Sequence, residues 1–157
     1  MIDVEQFRND VVQPVLKELN LWSESAEELI MGTAAQESNL VYLKQTGSGP
    51  ALGICQMEPA THDDIWDNYL RYQTEKSTAM KDMFGVVAGD ARHLTWNLGY
   101  AVAMCRICYS RAPSALPDAD SVEGMAEYWK DHYNTPMGAG TVDEFINNYD
   151  TIVKGDE

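Results

Sequence analysis

Apolar residues recur at helical spacing along most of the chain. Between residues 3 and 20 they fall three or four positions apart, which is the spacing of one helix face. This first stripe consists of Phe7, Val11, Val12, Val15, Leu16 and Leu19. Pro14 lies inside it, and because proline lacks a backbone N–H, we expect it to kink or split the helix.

Helix starts are marked by Ser or Thr followed three residues later by an acidic residue, the capping-box pattern or its close relative. The pairs are Ser25 with Glu28, Thr61 with Asp64, and Thr141 with Glu144.

A regular stripe between residues 90 and 109 predicts the longest helix of the chain. Its apolar positions are Leu94, Leu98, Ala101, Val102, Cys105, Cys108 and Tyr109.

Two further stripes carry tryptophans, and we expect Trp66 and Trp129 to pack in the core. One stripe consists of Ile65, Trp66, Tyr69 and Leu70, and the other of Met125, Ala126, Trp129, His132 and Tyr133. The second should end before Pro136, because a residue that precedes proline disfavours the helical backbone. Residues 111–120 contain two prolines and are typical of a connector.

Residues 41–57 are rich in glycine and break the helical period, which predicts a loop or a small β-hairpin. The fold class is therefore mostly α, with at most one small hairpin. A length of 157 residues fits a single domain, 1–157. Within it we distinguish an N-terminal helical part, about 1–24, from a core that carries the motifs, about 25–154.

The composition, with 45% hydrophobic and 23% charged residues, is ordinary for a globular protein. The formal net charge of −14, from 25 acidic and 11 basic residues, argues against nucleic acid or an anionic membrane surface as the main partner. No apolar run approaches the roughly 20 residues of a membrane span. The first ten residues lack the basic and apolar regions of a signal peptide, so we expect synthesis in the cytoplasm without an export signal.

Three cysteines occur, an odd number that implies no disulfide framework. Cys105 and Cys108 form a C-x-x-C pair on an apolar helix face, whereas the redox motif belongs at a junction between a strand and a helix. A zinc site with four cysteines would need one more cysteine than the chain has. We interpret the pair as core packing and expect neither metal nor cofactor.

One acidic residue stands where the helical pattern calls for an apolar one. Glu37 follows Ile30 by seven positions and Ala34 by three, so all three share one helix face. Partial burial and the negative end of the helix dipole would both raise the pKa of Glu37. A carboxylic acid that stays protonated near neutral pH is what a general acid needs. The alternative is a glutamate at a frayed helix end that reaches solvent, as most glutamates do.

Two other polar side chains occupy the edges of apolar stripes. Gln56 lies inside an apolar run next to Met57, and a buried amide is either a structural bridge or a substrate contact. Tyr133 ends its stripe as Glu37 ends its own. Three polar groups at the edge of one core predict a cleft.

The motifs that hold these residues resemble, in order and spacing, those of a known family. They are Glu37-Ser38, then Gly-Ile-Cys-Gln-Met-Glu-Pro-Ala-Thr over residues 53–61, then Tyr133-Asn134. The chain resembles the lysozyme-like soluble lytic transglycosylases over roughly residues 26–149, and most of all the versions carried by tailed bacteriophages. The resemblance implies a lysozyme-like fold. It also implies cleavage of the β-1,4 bond between N-acetylmuramic acid and N-acetylglucosamine in peptidoglycan.

In this family the glutamate acts first as acid and then as base, so Glu37 is implied as the acid/base and Tyr133 as the group that hydrogen-bonds and orients it. The residues expected to contact the sugar or hold the cleft are Ser38, Gln56, Met57 and Asn134. Two departures stand out. Cys55 replaces the usual methionine, and Thr135-Pro136 replace the usual small residue and glycine after the third motif.

Glu58 leaves a second chemistry open. In an extended segment Glu58 would share a face with Gln56 and look into the cleft. It could then activate water, which would make the protein a hydrolytic muramidase with the same acid. The other interpretation is that Glu58 and the acidic residues after it only favour the start of the next helix.

Two alternative functions involve no catalysis. The protein could be a virion or tail structural protein of the same fold without turnover, or a helical interaction domain in which the motif match is chance. The implied partners are the peptidoglycan glycan strand and other phage virion or tail proteins. Bacterial walls are anionic, so a net charge of −14 weakens binding at low salt. We therefore expect the protein to act on the cell wall as part of a larger assembly such as the virion.

Overall fold

The computed structural model describes residues 1–85, 90–135 and 137–155. This part of the chain is mostly helical, as predicted. The α-helices are α1 (Val4–Phe7), α2 (Gln13–Glu18), α3 (Glu24–Ser38), α4 (Pro59–Asn68), α5 (Thr74–Phe84), α6 (His93–Trp96), α7 (Leu98–Ser110), α8 (Val122–Trp129) and α9 (Val142–Asn148). Wider π-helical segments cover Arg8–Val12, Lys130–Asn134 and Tyr149–Lys154, and a 3₁₀ turn covers Leu70–Tyr72. The predicted hairpin is reduced to isolated bridges between Lys44 and Leu52 and between Leu52 and Met57.

Pro14 does not split the first helix. The backbone stays helical from α1 through the Arg8–Val12 segment into α2. Immediately before the proline, the N–H of Gln13 bonds to the carbonyl of Arg8, five residues back. A proline ring in a regular helix clashes with the carbonyl four residues earlier, and the wider π turn relieves that clash. The prediction of a split was therefore wrong.

Two of the three predicted helix caps lie at other residues. Ser23, not Ser25, caps α3, since its Oγ accepts from the N–H of Ala26 at 3.0 Å. Helix α4 begins at Pro59, so Thr61 lies inside it rather than at its cap. Proline is well suited to a first helical turn, where its missing N–H is not needed. Thr141 caps α9 as predicted.

The stripe between residues 90 and 109 forms two helices rather than one. Asn97 leaves the helical conformation, and its side chain accepts from the N–H of Tyr100 at 3.0 Å, which caps α7. The 15 residues of α3 therefore exceed the 13 of α7. An asparagine offers the backbone a hydrogen bond that competes with the helix, and it favours a cap for that reason.

Helix α3 runs through the centre of the molecule and contacts α7, α8, α9 and the Tyr149–Lys154 segment. Gly32 allows the closest approach, since a Cβ there would lie 2.6 Å from the ring of Phe145. One cluster of buried side chains extends from Phe7 to Val153 and includes Trp66 and Trp129, as predicted.

An ion pair network attaches the N-terminal helix to α3. The guanidinium of Arg8 lies 2.8 Å from the carboxylate of Glu27 and also bonds to Glu28. Glu28 in turn accepts from the hydroxyl of Tyr149. In the described residues, no helix is both long and apolar enough to cross a membrane.

Candidate active site in a cleft at the end of α3

The C-terminal end of α3, the loop before α4 and the segment after α8 enclose a cleft of about 680 Å³. Six of the seven residues singled out in the sequence line it. They are Glu37, Gln56, Met57, Glu58, Tyr133 and Asn134. Three separate stretches of sequence thus contribute to one cavity.

Ser38, the seventh, lies beneath the cleft wall. It is 1% exposed, and its hydroxyl lies 2.6 Å from the carbonyl of Ile54 and 3.0 Å from that of Ala34. A side chain this deeply buried does not contact a sugar. Of the two roles expected for Ser38, the structure supports only the structural one, because the residue ties the loop before α4 to α3.

Glu37 lies in the last turn of α3 and is half-buried. Burial raises the pKa of its carboxyl to about 7, and a hydrogen bond from the Trp129 indole opposes that rise. The indole Nε1 donates to Oε1 at 3.0 Å. The helix end is ordered by Asn39, which adopts the left-handed conformation (φ 54°) and bonds back to Ala35. The alternative of a frayed end in solvent is therefore excluded.

Trp129 belongs to the site, although its sequence pattern predicts only a core position. It is indeed fully buried, at 0% exposure. A buried indole N–H needs an acceptor, and the helical register puts Trp129 four residues before Tyr133 on the same face. Those two signals together would have indicated that Trp129 faces the cleft acid.

Tyr133 does not hydrogen-bond to Glu37. Its hydroxyl donates instead to the carbonyl of Cys55 at 2.6 Å, and its ring packs against Tyr109 with the centroids 5.4 Å apart. Burial holds the pKa of Tyr133 well above its ordinary value, with further contributions from nearby thiols and Glu37. The hydrogen bond predicted between Tyr133 and Glu37 is therefore not formed, and the Tyr133 hydroxyl instead holds the loop before α4.

That wall is a tight turn around Gly53 and Gln56. Gly53 has φ +82°, and a Cβ there would lie 2.2 Å from the backbone oxygen of Leu94. Gln56 also has a positive φ, 50°, and its side-chain Nε2 donates to the Gly53 carbonyl at 2.9 Å. Gln56 is therefore a structural bridge that also lines the cleft. Met57, beside it, is 3% exposed and joins the wall to the core.

Glu58 occupies the N-cap position of α4 with an extended backbone, φ −72° and ψ 144°. Its side chain makes no capping hydrogen bond and is exposed at the edge of the cleft. Glu58 therefore agrees in part with both predictions. It lies at the start of a helix, as the helix-start interpretation expects, and it borders the cavity, as the muramidase interpretation expects.

The cysteines are free thiols. Cys105 is buried in the middle of α7, which confirms it as a packing residue, whereas Cys108 is half-buried and borders the cleft. Burial raises the pKa of Cys108 to about 11 and that of Cys105 well above its ordinary value. Thiols that remain protonated are poor nucleophiles and poor metal ligands. Within the described ranges, no group of three or more His, Cys, Asp or Glu side chains is arranged to hold a metal ion.

Asn134 lines the cleft next to Lys130, which no sequence motif marks. Its Oδ1 accepts from Nζ of Lys130 at 2.8 Å. The helical segment ends at Asn134, and Thr135 follows with φ +80°. Pro136, on which the predicted helix stop was based, lies outside the described residues.

Comparison with known proteins gives no relative: no family model, no curated protein and no solved structure matches this chain.

Proposed function

We propose that the protein is a peptidoglycan lytic transglycosylase that cuts the β-1,4 bond between N-acetylmuramic acid and N-acetylglucosamine. The observation that carries the proposal is the Glu37 carboxyl, half-buried in a cleft with a pKa of about 7. An acid with a pKa near the working pH can donate a proton in one step and accept one in the next. The resemblance of the three motifs to the lytic transglycosylases supplies the substrate.

The reaction needs one acid/base. Protonated Glu37 donates its proton to the glycosidic oxygen as the bond from C1 to that oxygen breaks. The N-acetyl group of the muramoyl residue stabilises the cationic C1, as in other substrate-assisted glycosidases. The Glu37 carboxylate then takes the proton of the muramoyl 6-hydroxyl, whose oxygen attacks C1. The products are a free 4-hydroxyl and a 1,6-anhydro ring, and no water is consumed.

The neighbours of Glu37 suit this cycle. The Trp129 indole stabilises the carboxylate that forms after proton donation without itself exchanging a proton. Tyr133 and Gln56 hold the opposite wall, and Asn134 borders the cavity with its amide. The net charge of −14 favours action on the anionic wall as part of a larger assembly such as a virion.

Glu37→Gln is the direct test. The amide matches the carboxyl in shape but cannot donate the proton, so the rate of wall cleavage should fall by about 10² to 10⁴. Far-UV circular dichroism and thermal unfolding should show a folded variant. Mass spectrometry of the muropeptides released by the wild type should find 1,6-anhydro ends, one water lighter than reducing ends. Unchanged turnover in the variant would exclude Glu37 as the acid, and a wild type that releases nothing would favour the structural virion protein.

A hydrolytic muramidase is the second candidate, because the Glu58 carboxylate is exposed at the edge of the same cleft. A lone acid predicts that Glu58→Gln keeps most of the activity and the anhydro product. Loss of activity in Glu58→Gln, together with reducing-end products from the wild type, would establish hydrolysis instead. Glu144→Gln, an exposed carboxylate in the first turn of α9, provides the matched control.

A further inference from the structure

Lys130 directs its ammonium group at three oxygen atoms of the segment that follows it. Nζ lies 2.8 Å from Oδ1 of Asn134, 2.8 Å from the carbonyl of Gly138 and 2.6 Å from the carbonyl of Gly140. A lysine ammonium has three N–H donors, so each acceptor can take one. The side chain is half-buried, where such charge-assisted bonds are stronger than at an open surface.

The two carbonyls belong to the 137–140 segment, which forms one wall of the cleft. Met137, Gly138 and Ala139 of this segment line the cavity. The segment follows Thr135, whose φ of +80° is unfavourable for a β-branched residue. Strained backbone persists only where its surroundings hold it, and the Lys130 ammonium supplies that hold across the turn.

The same segment lies against the residue that bonds to the acid. A Cβ on Gly140 would be 2.6 Å from the ring of Trp129, so backbone and indole are in close contact. Nε1 of the same indole donates to Glu37. The wall that Lys130 holds is therefore in contact with the residue that bonds to Glu37.

Lys130 also sets the orientation of the Asn134 side chain. An amide can present either its oxygen or its NH₂ group to a ligand. Because Oδ1 accepts from Lys130, the NH₂ group is the end that remains to donate. A glycan strand offers matching acceptors in its acetamido carbonyls and hydroxyl oxygens.

We propose that Lys130 is a positioning residue of the cleft, which holds the 137–140 wall in place and orients the Asn134 amide as a donor toward an uncharged acceptor on the glycan. The identity of the ligand rests on the proposed function. The hold on the wall rests on the three contacts alone and can be tested without substrate.

The first test compares Lys130→Met with Lys154→Met. Both remove one positive charge, but Lys154 pairs with Asp150 on the last helical segment, outside the cleft. Amide hydrogen exchange is measured without ligand at Gly138, whose N–H donates to the Thr135 carbonyl at 3.0 Å. Exchange should be about tenfold faster in Lys130→Met and unchanged in Lys154→Met. Equal exchange in the two variants would overturn the proposal. If Lys130→Met does not fold, Lys130→Gln replaces it.

The second test separates binding from chemistry with peptidoglycan as substrate. Lys130→Met should raise KM about tenfold and leave kcat within about threefold, because the acid itself is unchanged. Asn134→Asp keeps an oxygen for Lys130 but removes the NH₂ donor, so it should raise KM while exchange at Gly138 stays slow. An unchanged KM in either variant contradicts the positioning role. A wild type that cleaves nothing would refute the proposed function, and the exchange comparison would still decide whether Lys130 holds the wall.

Discussion

At the scale of single residues, the environment of Glu37 determines its chemistry. The core around α3 shields the carboxyl from much of the water, and one indole N–H is its only direct hydrogen-bond donor among the described residues. A single neutral donor stabilises the carboxylate less than water does, so the pKa rises to about 7. The same burial that creates an acid near neutral pH also costs stability once the group ionises.

Stability should therefore fall with pH in a defined window. The Glu37 pKa rises from 4.5 to about 7 on folding, so the native state binds more protons than the unfolded state between these values. This contribution is complete below pH 4.5 and is lost as the pH rises through 7. Relative to wild type, Glu37→Gln should gain up to about 3 kcal/mol of unfolding free energy between pH 4.5 and 8. Urea unfolding of both proteins across this range measures the difference, and parallel curves would contradict the burial of Glu37.

At the scale of elements, the cleft depends on how the loop before α4 is pressed against α6 and α7. Gly53 makes this approach possible, because its missing Cβ leaves room for the Leu94 carbonyl. Ser38 and Tyr133 then hold the neighbouring carbonyls of Ile54 and Cys55 from two other elements. The wall is thus fixed by hydrogen bonds to its backbone carbonyls.

Gly53→Ala should consequently be far more damaging than Gly47→Ala. Both glycines have φ +82°, but a Cβ at Gly47 meets nothing within 4 Å. Gly47→Ala should lose only about 1 kcal/mol of unfolding free energy, from left-handed backbone strain. Gly53→Ala adds the clash with Leu94 and should lose about 3 kcal/mol or more. Thermal and urea unfolding of the pair measures this difference. Similar stabilities would show that the loop does not approach Leu94 as closely as described.

At the scale of the whole molecule, net charge opposes the proposed substrate. A protein of charge −14 and an anionic wall repel each other over the Debye length. The glycan strand proposed as ligand of the cleft is mostly uncharged, so the repulsion should act on the encounter with the wall rather than on the chemical step.

Salt should therefore accelerate wall cleavage. Raising the ionic strength from about 10 mM to about 150 mM shortens the Debye length from about 30 Å to about 8 Å. The apparent kcat/KM on intact walls should rise by a factor of roughly 10. A neutral chito-oligosaccharide should show no such increase in its binding affinity, which makes it the control. Cleavage that slows with added salt would indicate that attraction, through a basic surface, brings the protein to the wall.

Helical periodicity indicated most of the helices, because the spacing of apolar residues shows which face of a helix is buried. It missed α5 (Thr74–Phe84) and joined α6 to α7. It also placed Glu37 on the inner face of α3, and motif order brought Gln56 and Tyr133 to the same cavity. Local patterns were less reliable for helix ends. Ser23 caps α3 where Ser25 was expected, and Asn97 divides the apolar stripe between residues 90 and 109 into two helices. Competing caps differ by too little free energy for the local sequence to choose between them.

Only the tertiary structure determined which polar groups meet. A hydrogen bond from Tyr133 to Glu37 was expected. Instead, the Tyr133 hydroxyl donates to the Cys55 carbonyl of the loop before α4, and the Trp129 indole donates to the Glu37 carboxyl. Lys130 contacts the cleft wall because the chain turns after Asn134 and brings two carbonyls, eight and ten residues further along, to its ammonium group. Backbone acceptors carry no sequence signature, and hydrogen bonds to them depend on distances that only the packed chain sets. The sequence by itself indicated a mostly helical fold and placed Glu37 on an inner helix face, because both follow from the spacing of apolar residues. The packing of the loops determined the partners of that acid and the walls of its cleft, because those contacts join residues far apart in the chain.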